Sequence, residues 1–104
     1  MKKLFLFFFY TPTILLSQSL DILFIGNSYT YANNMPQMIS EIALSFGDTL
    51  NFESSTPGGA TFNIHSTNTN TLNKISQKPW DYIVLQAQSQ EPSFSPTQVT
   101  NDVF

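Results

Sequence analysis

Residues 21–31 read DILFIGNSYTY, and the fold turns on how they are read. Ile22, Leu23, Phe24 and Ile25 form an unbroken apolar run. Such a run suits a strand buried on both faces of a parallel sheet, where strict alternation is not required. Gly26 stops it and permits a tight turn. Asn27 and Ser28 follow at the strand's carboxyl end, and a helix with a clear start comes soon after. In open α/β sheets, ligands bind just beyond the carboxyl ends of strands. The Ser28 hydroxyl is therefore expected at the lip of a crevice.

Working outward, Asn34 reads as a helix N-cap with Pro36 in the first turn. Met35, Met38, Ile39, Ile42, Ala43 and Phe46 then fall at helical spacing as a continuous apolar stripe, and Gly47 stands where the helix would end. Leu50, Phe52 and Ser54 alternate with Asn51 and Glu53, which predicts a second strand over 49–55. Residues 63–71, rich in Asn, Thr and Ser, read as a loop after the Pro57-Gly58-Gly59 turn. Residues 71–77, with Leu72 and Ile75, are expected to be the end of a second, weaker helix, stopped by Pro79. Tyr82, Ile83, Val84 and Leu85 read as a third buried strand. Ser95 and Pro96 open a further helix, with Val99 and Val103 starting its apolar stripe. Strand–helix–strand units with right-handed crossovers give an α/β class, part of a flavodoxin-like three-layer fold. The third crossover leads to no fourth strand, so the expectation is a truncated, N-terminal portion of a larger domain. A complete minimal domain is the competing expectation.

The amino terminus reads separately. Lys2 and Lys3 precede a mostly apolar stretch over 4–16, and Ser17-Gln18-Ser19 offers small residues at the spacing of a cleavage site. Residues 1–19 are thus expected to be a signal peptide cut after Ser19, leaving 20–104 as an exported chain. A stable membrane span is not expected, because that takes about 20 apolar residues and Thr11-Pro12-Thr13 interrupts the run. Beyond residue 19 only Lys74 and Lys78 face seven carboxylates, a net charge of −5. That excludes a nucleic-acid binder of the usual basic kind. There is no cysteine and one histidine, so neither a disulfide scaffold nor a metal site is expected, and no cofactor is implied.

Three polar, turn-forming segments, 26–31, 57–61 and 86–92, all fall at carboxyl ends of predicted strands. Together they hold a hydroxyl, a glycine pair and a set of carboxamides. Acyl transfer needs such parts: a nucleophile, close backbone N–H groups and a side-chain donor aimed at an oxyanion. On these residues the chain resembles the N-terminal portion of the SGNH (GDSL-type) hydrolase family, over about residues 21–95. Gly26-Asn27-Ser28 resembles the family's Gly-Asp-Ser block with Asn for Asp. Thr56-Pro57-Gly58-Gly59-Ala60-Thr61 is similar to the block that supplies a glycine N–H. Trp80-Asp81 and the strand after it resemble the lead-in to the third block, where Gln86-Ala87-Gln88-Ser89-Gln90 stands in place of the usual asparagine.

The resemblance implies a serine esterase or lipase-type hydrolase with Ser28 as nucleophile. Its oxyanion hole would use the N–H groups of Ser28 and Gly59 and the carboxamide of Gln88 or Gln90. The implied substrate is a small-molecule or carbohydrate ester, with O-acetyl groups as one case. The family's closing Asp-x-x-His segment is absent, so this chain alone is expected to be inactive or nearly so. His65 is the one histidine that could replace the base, although a lone histidine in a polar loop reads more simply as a solvated or capping residue. Two other readings stay open. One is a non-catalytic flavodoxin-like phosphate-binding module using Ser28, Thr30 and the helix that follows. The other is a truncated reading frame without function.

Overall fold

The computed structural model describes Lys3 and residues 16–103. Three parallel strands make one sheet in the order β2-β1-β3: β1 is Ser19–Ile25, β2 Thr49–Ser55 and β3 Tyr82–Leu85. The helices are α1 (Ser28–Tyr31), α2 (Met35–Ser45), α3 (Phe62–Thr67), α4 (Thr69–Gln77) and α5 (Pro96–Val103). Short 3-10 turns occupy Ala32–Asn34 and Glu91–Ser93. Register runs from Ser19↔Thr49 to Ile25↔Ser55 on one side of β1 and from Ile22↔Tyr82 to Ile25↔Leu85 on the other. The molecule is thus a mixed α/β fold, a three-stranded parallel sheet flanked by helices, with the partial flavodoxin-like layout.

The chain leaves β1 toward β2 and then crosses back over β1 to reach β3. Right-handed crossovers in opposite directions put their helices on opposite faces. Contacts agree with this. Leu23, Ile25, Glu53 and Ser55 share one face by register, and there Lys74 of α4 pairs with Glu53 at 3.6 Å and the Thr71 hydroxyl meets that of Ser55 at 2.8 Å. On the other face Phe24 and Phe52 meet edge to face, ring centroids 6.2 Å apart. The apolar run of β1 is the core, with Ile22, Leu23, Phe24 and Ile25 all buried.

Local signals placed most elements. The α2 terminus forms a Schellman motif: Asp48 N–H donates to the Ala43 carbonyl and Gly47 N–H to that of Leu44, at 3.0 and 2.9 Å. Gly47 sits at φ +84° with nothing within 4 Å of where a Cβ would stand. Gly47→Ala should therefore cost only its left-handed strain, about 1 kcal/mol, read as a lower urea midpoint with an unchanged slope.

Four expectations need correction. Residues 63–71 are helical apart from Asn68, not a loop. Polar residues cap both helices, Thr61 just ahead of the segment accepting from Ile64 N–H at 3.2 Å and Asn68 within it from Thr71 N–H at 3.0 Å. Asn34 makes no side-chain cap; it and Asn33 are left-handed, at φ +57° and +53°, a conformation that asparagine tolerates. The α2 stripe is only half used. Met35, Ile39 and Ala43 are half-buried, while Met38, Ile42 and Phe46 are exposed, because the sheet covers one row of a stripe two rows wide. Finally, β3 is not buried. Its four residues are 40–60 % exposed: α2 and α4 pack on β2, the other edge strand, whereas among the described residues β3 packs substantially against β1 alone.

The expected signal peptide lies mostly outside the described residues. Within them, Gln18 donates to the Asp48 carboxylate at 3.0 Å and accepts from Thr49 N–H at 2.8 Å, and Ser19 pairs with Thr49. A cut after Ser19 would remove that first rung of the sheet. Among the described residues no helix is long and apolar enough to cross a membrane.

Candidate functional site

The strand order reverses between β1 and β3, the place where open α/β sheets bind their ligands. Gly26, Asn27 and Ser28 leave β1 at that point. Gly26 is held on every side. Its N–H donates to the Ser55 carbonyl of β2 at 3.1 Å, and its carbonyl accepts from His65 Nε2 at 2.7 Å. The parallel register that pairs Ile25 with Leu85 brings Gln86 beside it, and Gln86 N–H donates to the Ile25 carbonyl at 2.8 Å. Without a Cβ on Gly26, the Gln86 side chain can lie across the turn. A methyl there would come within 2.6 Å of Gln86 Oε1 and closer still to Thr30 Oγ1.

Asn27 is the hub. It is 2 % exposed. Its N–H donates to Gln86 Oε1 at 2.9 Å, its Oδ1 accepts from Tyr29 N–H at 3.0 Å as the α1 N-cap, and its Nδ2 donates to the Ala60 carbonyl at 3.2 Å. One buried side chain thus ties the serine turn to the glycine turn, and its backbone ties it to the strand-exit loop. The three polar segments do converge, and they converge on the residue before Ser28.

Ser28 opens α1 and is half-buried. Among the described residues neither its hydroxyl nor its N–H has a hydrogen-bond partner, and no histidine or carboxylate touches its oxygen. In the glycine turn, Ala60 N–H closes on the Pro57 carbonyl at 3.1 Å with Gly59 at φ +70°. A type II turn requires that positive φ at its third residue, and it fixes which way the Gly59 N–H points. That N–H has no partner among the described residues. Gly58 lies alongside α1, its Cβ position 3.9 Å from the Tyr31 hydroxyl.

The glutamines divide differently from expectation. Gln86, missed from the sequence, is the one bound to the serine turn. Its Oε1 accepts from Asn27 N–H and, at 2.8 Å, from the Thr30 hydroxyl, and its Nε2 donates to the Ala87 carbonyl. Gln88 Oε1 accepts from Gln90 N–H at 2.7 Å, which leaves Gln88 Nε2 as its spare donor. The Gln90 side chain is exposed and has no partner among the described residues. Glu91, also missed, is 2 % exposed and bonded to the backbone of two loops.

His65 is not a solvated loop residue. It is 5 % exposed on α3, between the Gly26 carbonyl and the Thr71 hydroxyl, 2.9 Å from its Nδ1. A carbonyl only accepts, so Nε2 carries the proton. Nδ1 then takes the Thr71 hydrogen, and Thr71 accepts from Ser55. Both ring nitrogens are committed to holding the turn. Thr30 is likewise 2 % exposed with its hydroxyl on Gln86, so it is not free to bind phosphate.

Among the described residues, cavities of about 330 and 420 Å³ are found that are not lined by Ser28, Gly59, Gln88 or Gln90. Among the described residues no cluster of His, Cys, Asp or Glu is arranged to hold a metal. No family model, no curated protein and no solved structure matches this chain.

Proposed function

We propose that this chain carries the nucleophile and part of the oxyanion hole of an exported serine ester hydrolase of SGNH type. Ser28 would attack a small acyl ester, with carbohydrate O-acetyl groups as one case. The observation that supports this most is a pair of free donors and a free hydroxyl fastened to one buried hub. The Ser28 hydroxyl, the Ser28 N–H and the Gly59 N–H all lack partners among the described residues, while Asn27 bonds to both turns that present them. Preorganised N–H groups of this kind are what an acyl-transfer oxyanion requires. Gln88 Nε2 is a half-buried carboxamide donor still available to join them, and the exposed Gln90 carboxamide is a second.

No base touches Ser28 among the described residues, so acylation should be slow and should stop at the acyl-enzyme. The test is incubation with 4-nitrophenyl acetate, followed by intact-mass and peptide analysis. Ser28 Oγ gains the acetyl group, nitrophenolate leaves, and the serine proton goes to buffer. One acetyl on Ser28 is expected, faster with added imidazole as an external base, and none at that position in Ser28→Ala. Acetylation at other residues only, or at an equal rate and stoichiometry in Ser28→Ala, removes Ser28 from the chemistry.

A further inference from the structure

Glu91 stands apart from the groups used so far. Its carboxylate is buried, and no cation pairs with it among the described residues. Oε1 accepts from Phe62 N–H at 2.7 Å and Oε2 from Gln88 N–H at 2.6 Å. Burying a carboxylate without a cation is unfavourable unless hydrogen bonds replace its water. Here they come from two segments, the start of α3 and the loop after β3, with all of α4 and β3 between them. Phe62 lies three residues past Gly59 and two past Ala60, whose carbonyl binds Asn27. The Gln88 N–H bond is local, to the residue three positions on, and Glu91 N–H donates back to the Gln88 carbonyl at 3.0 Å, closing the turn. Only a side chain with two acceptors suits this place. A carboxamide has one, and its NH₂ would face an N–H.

We infer that Glu91 is a positioning residue for the proposed esterase site: one carboxylate that fixes the glycine turn against the glutamine loop, so that Gly59 N–H and Gln88 Nε2 are presented together. This rests on the reading of Ser28 as nucleophile. Glu91 touches no reacting atom and acts through the two backbones it holds.

The test compares wild type, Glu91→Gln and Glu91→Asp by amide hydrogen exchange and by the rate of Ser28 acetylation from 4-nitrophenyl acetate. In Glu91→Gln the amides of Phe62 and Gln88 should exchange at least tenfold faster while those of Leu23 and Phe24 keep their protection. Ser28 acetylation should fall about tenfold, with partial recovery in Glu91→Asp, which keeps both acceptors. Exchange that rises by one common factor through β1 as well as the loops, or acetylation unchanged in a folded Glu91→Gln, overturns the positioning role. Should Glu91→Gln not fold, scalar couplings across the hydrogen bonds from Phe62 and Gln88 N–H to the Glu91 carboxyl carbon decide in wild type, and their absence overturns it. A wild-type chain that never acetylates at Ser28 defeats the hydrolase reading instead, and with it any catalytic consequence of Glu91.

Discussion

Gly26→Ala is expected to cost about 3–5 kcal/mol, from overpacking plus an unsatisfied buried donor, a large share of an ordinary domain's total of about 5–15 kcal/mol. The added methyl meets Gln86 Oε1 and Thr30 Oγ1 at once. Neither can retreat cheaply, because those two atoms are hydrogen-bonded to each other and Gln86 Oε1 also satisfies the Asn27 N–H. Moving Gln86 away leaves that buried N–H orphaned. Moving the backbone breaks the bonds of Gly26 to Ser55 and His65. Urea unfolding followed by circular dichroism measures the loss. Gly47→Ala is the control, since it adds the same methyl where nothing stands in the way. A cycle with Gln86→Ala adds a check: the double variant should lose less than the two single losses combined, because the clash and the orphaned N–H share one cause. If Gly26→Ala stays within about 1 kcal/mol of wild type, the lower limit of an overpacking penalty, the close approach of Gln86 to the turn is wrong.

What could be read from the residues alone, and what could not, follows from the range of each signal. The β2 limits, the Gly47 stop, the Ser95-Pro96 start and the apolar run of β1 are local, and they were legible. Exposure is not local. Tyr82, Ile83, Val84 and Leu85 have the composition of a buried strand and lie at a sheet edge, and Met38 and Ile42 belong to a helical stripe wider than the surface beneath it. The serine and glycine turns could be placed at one edge of the sheet by counting strands. The side chains that join them could not, because each depends on register. Gln86 becomes visible only when Ile25 is paired with Leu85, which sets it beside the one residue of the turn that lacks a Cβ. Glu91 left no local trace, because its bond to Phe62 depends on how two distant loops meet. His65 is misplaced by composition, because the Asn, Thr and Ser of residues 63–71 read as a loop. Once Phe62–Thr67 is a helix capped by Thr61, the ring is carried onto the end of the sheet.

His65 gives the second large effect, and its variants separate support of the turn from proton transfer. His65→Ala should cost about 3–5 kcal/mol, from a cavity and from the partners left behind. The Gly26 carbonyl and the Thr71 hydroxyl both lose their hydrogen bond to the ring. His65→Phe refills the volume but restores neither bond, so it should still lose about 2–4 kcal/mol. Because Thr71 stands between His65 and Ser55, Thr71→Val should cost less in the His65→Phe background than in wild type, with a coupling of about 1 kcal/mol. Ser28 acetylation, measured where each variant is fully folded, should fall only as far as the turn loosens, and added imidazole should speed it by the same factor as in wild type. A histidine that accepted the Ser28 proton would behave in the opposite way. Its loss would leave stability near wild type, remove most of the acetylation rate, and make imidazole far more effective in the variant than in the parent. The bond from Nε2 to the Gly26 carbonyl argues for the first outcome, because a nitrogen whose hydrogen already serves a backbone acceptor has no lone pair to offer the serine.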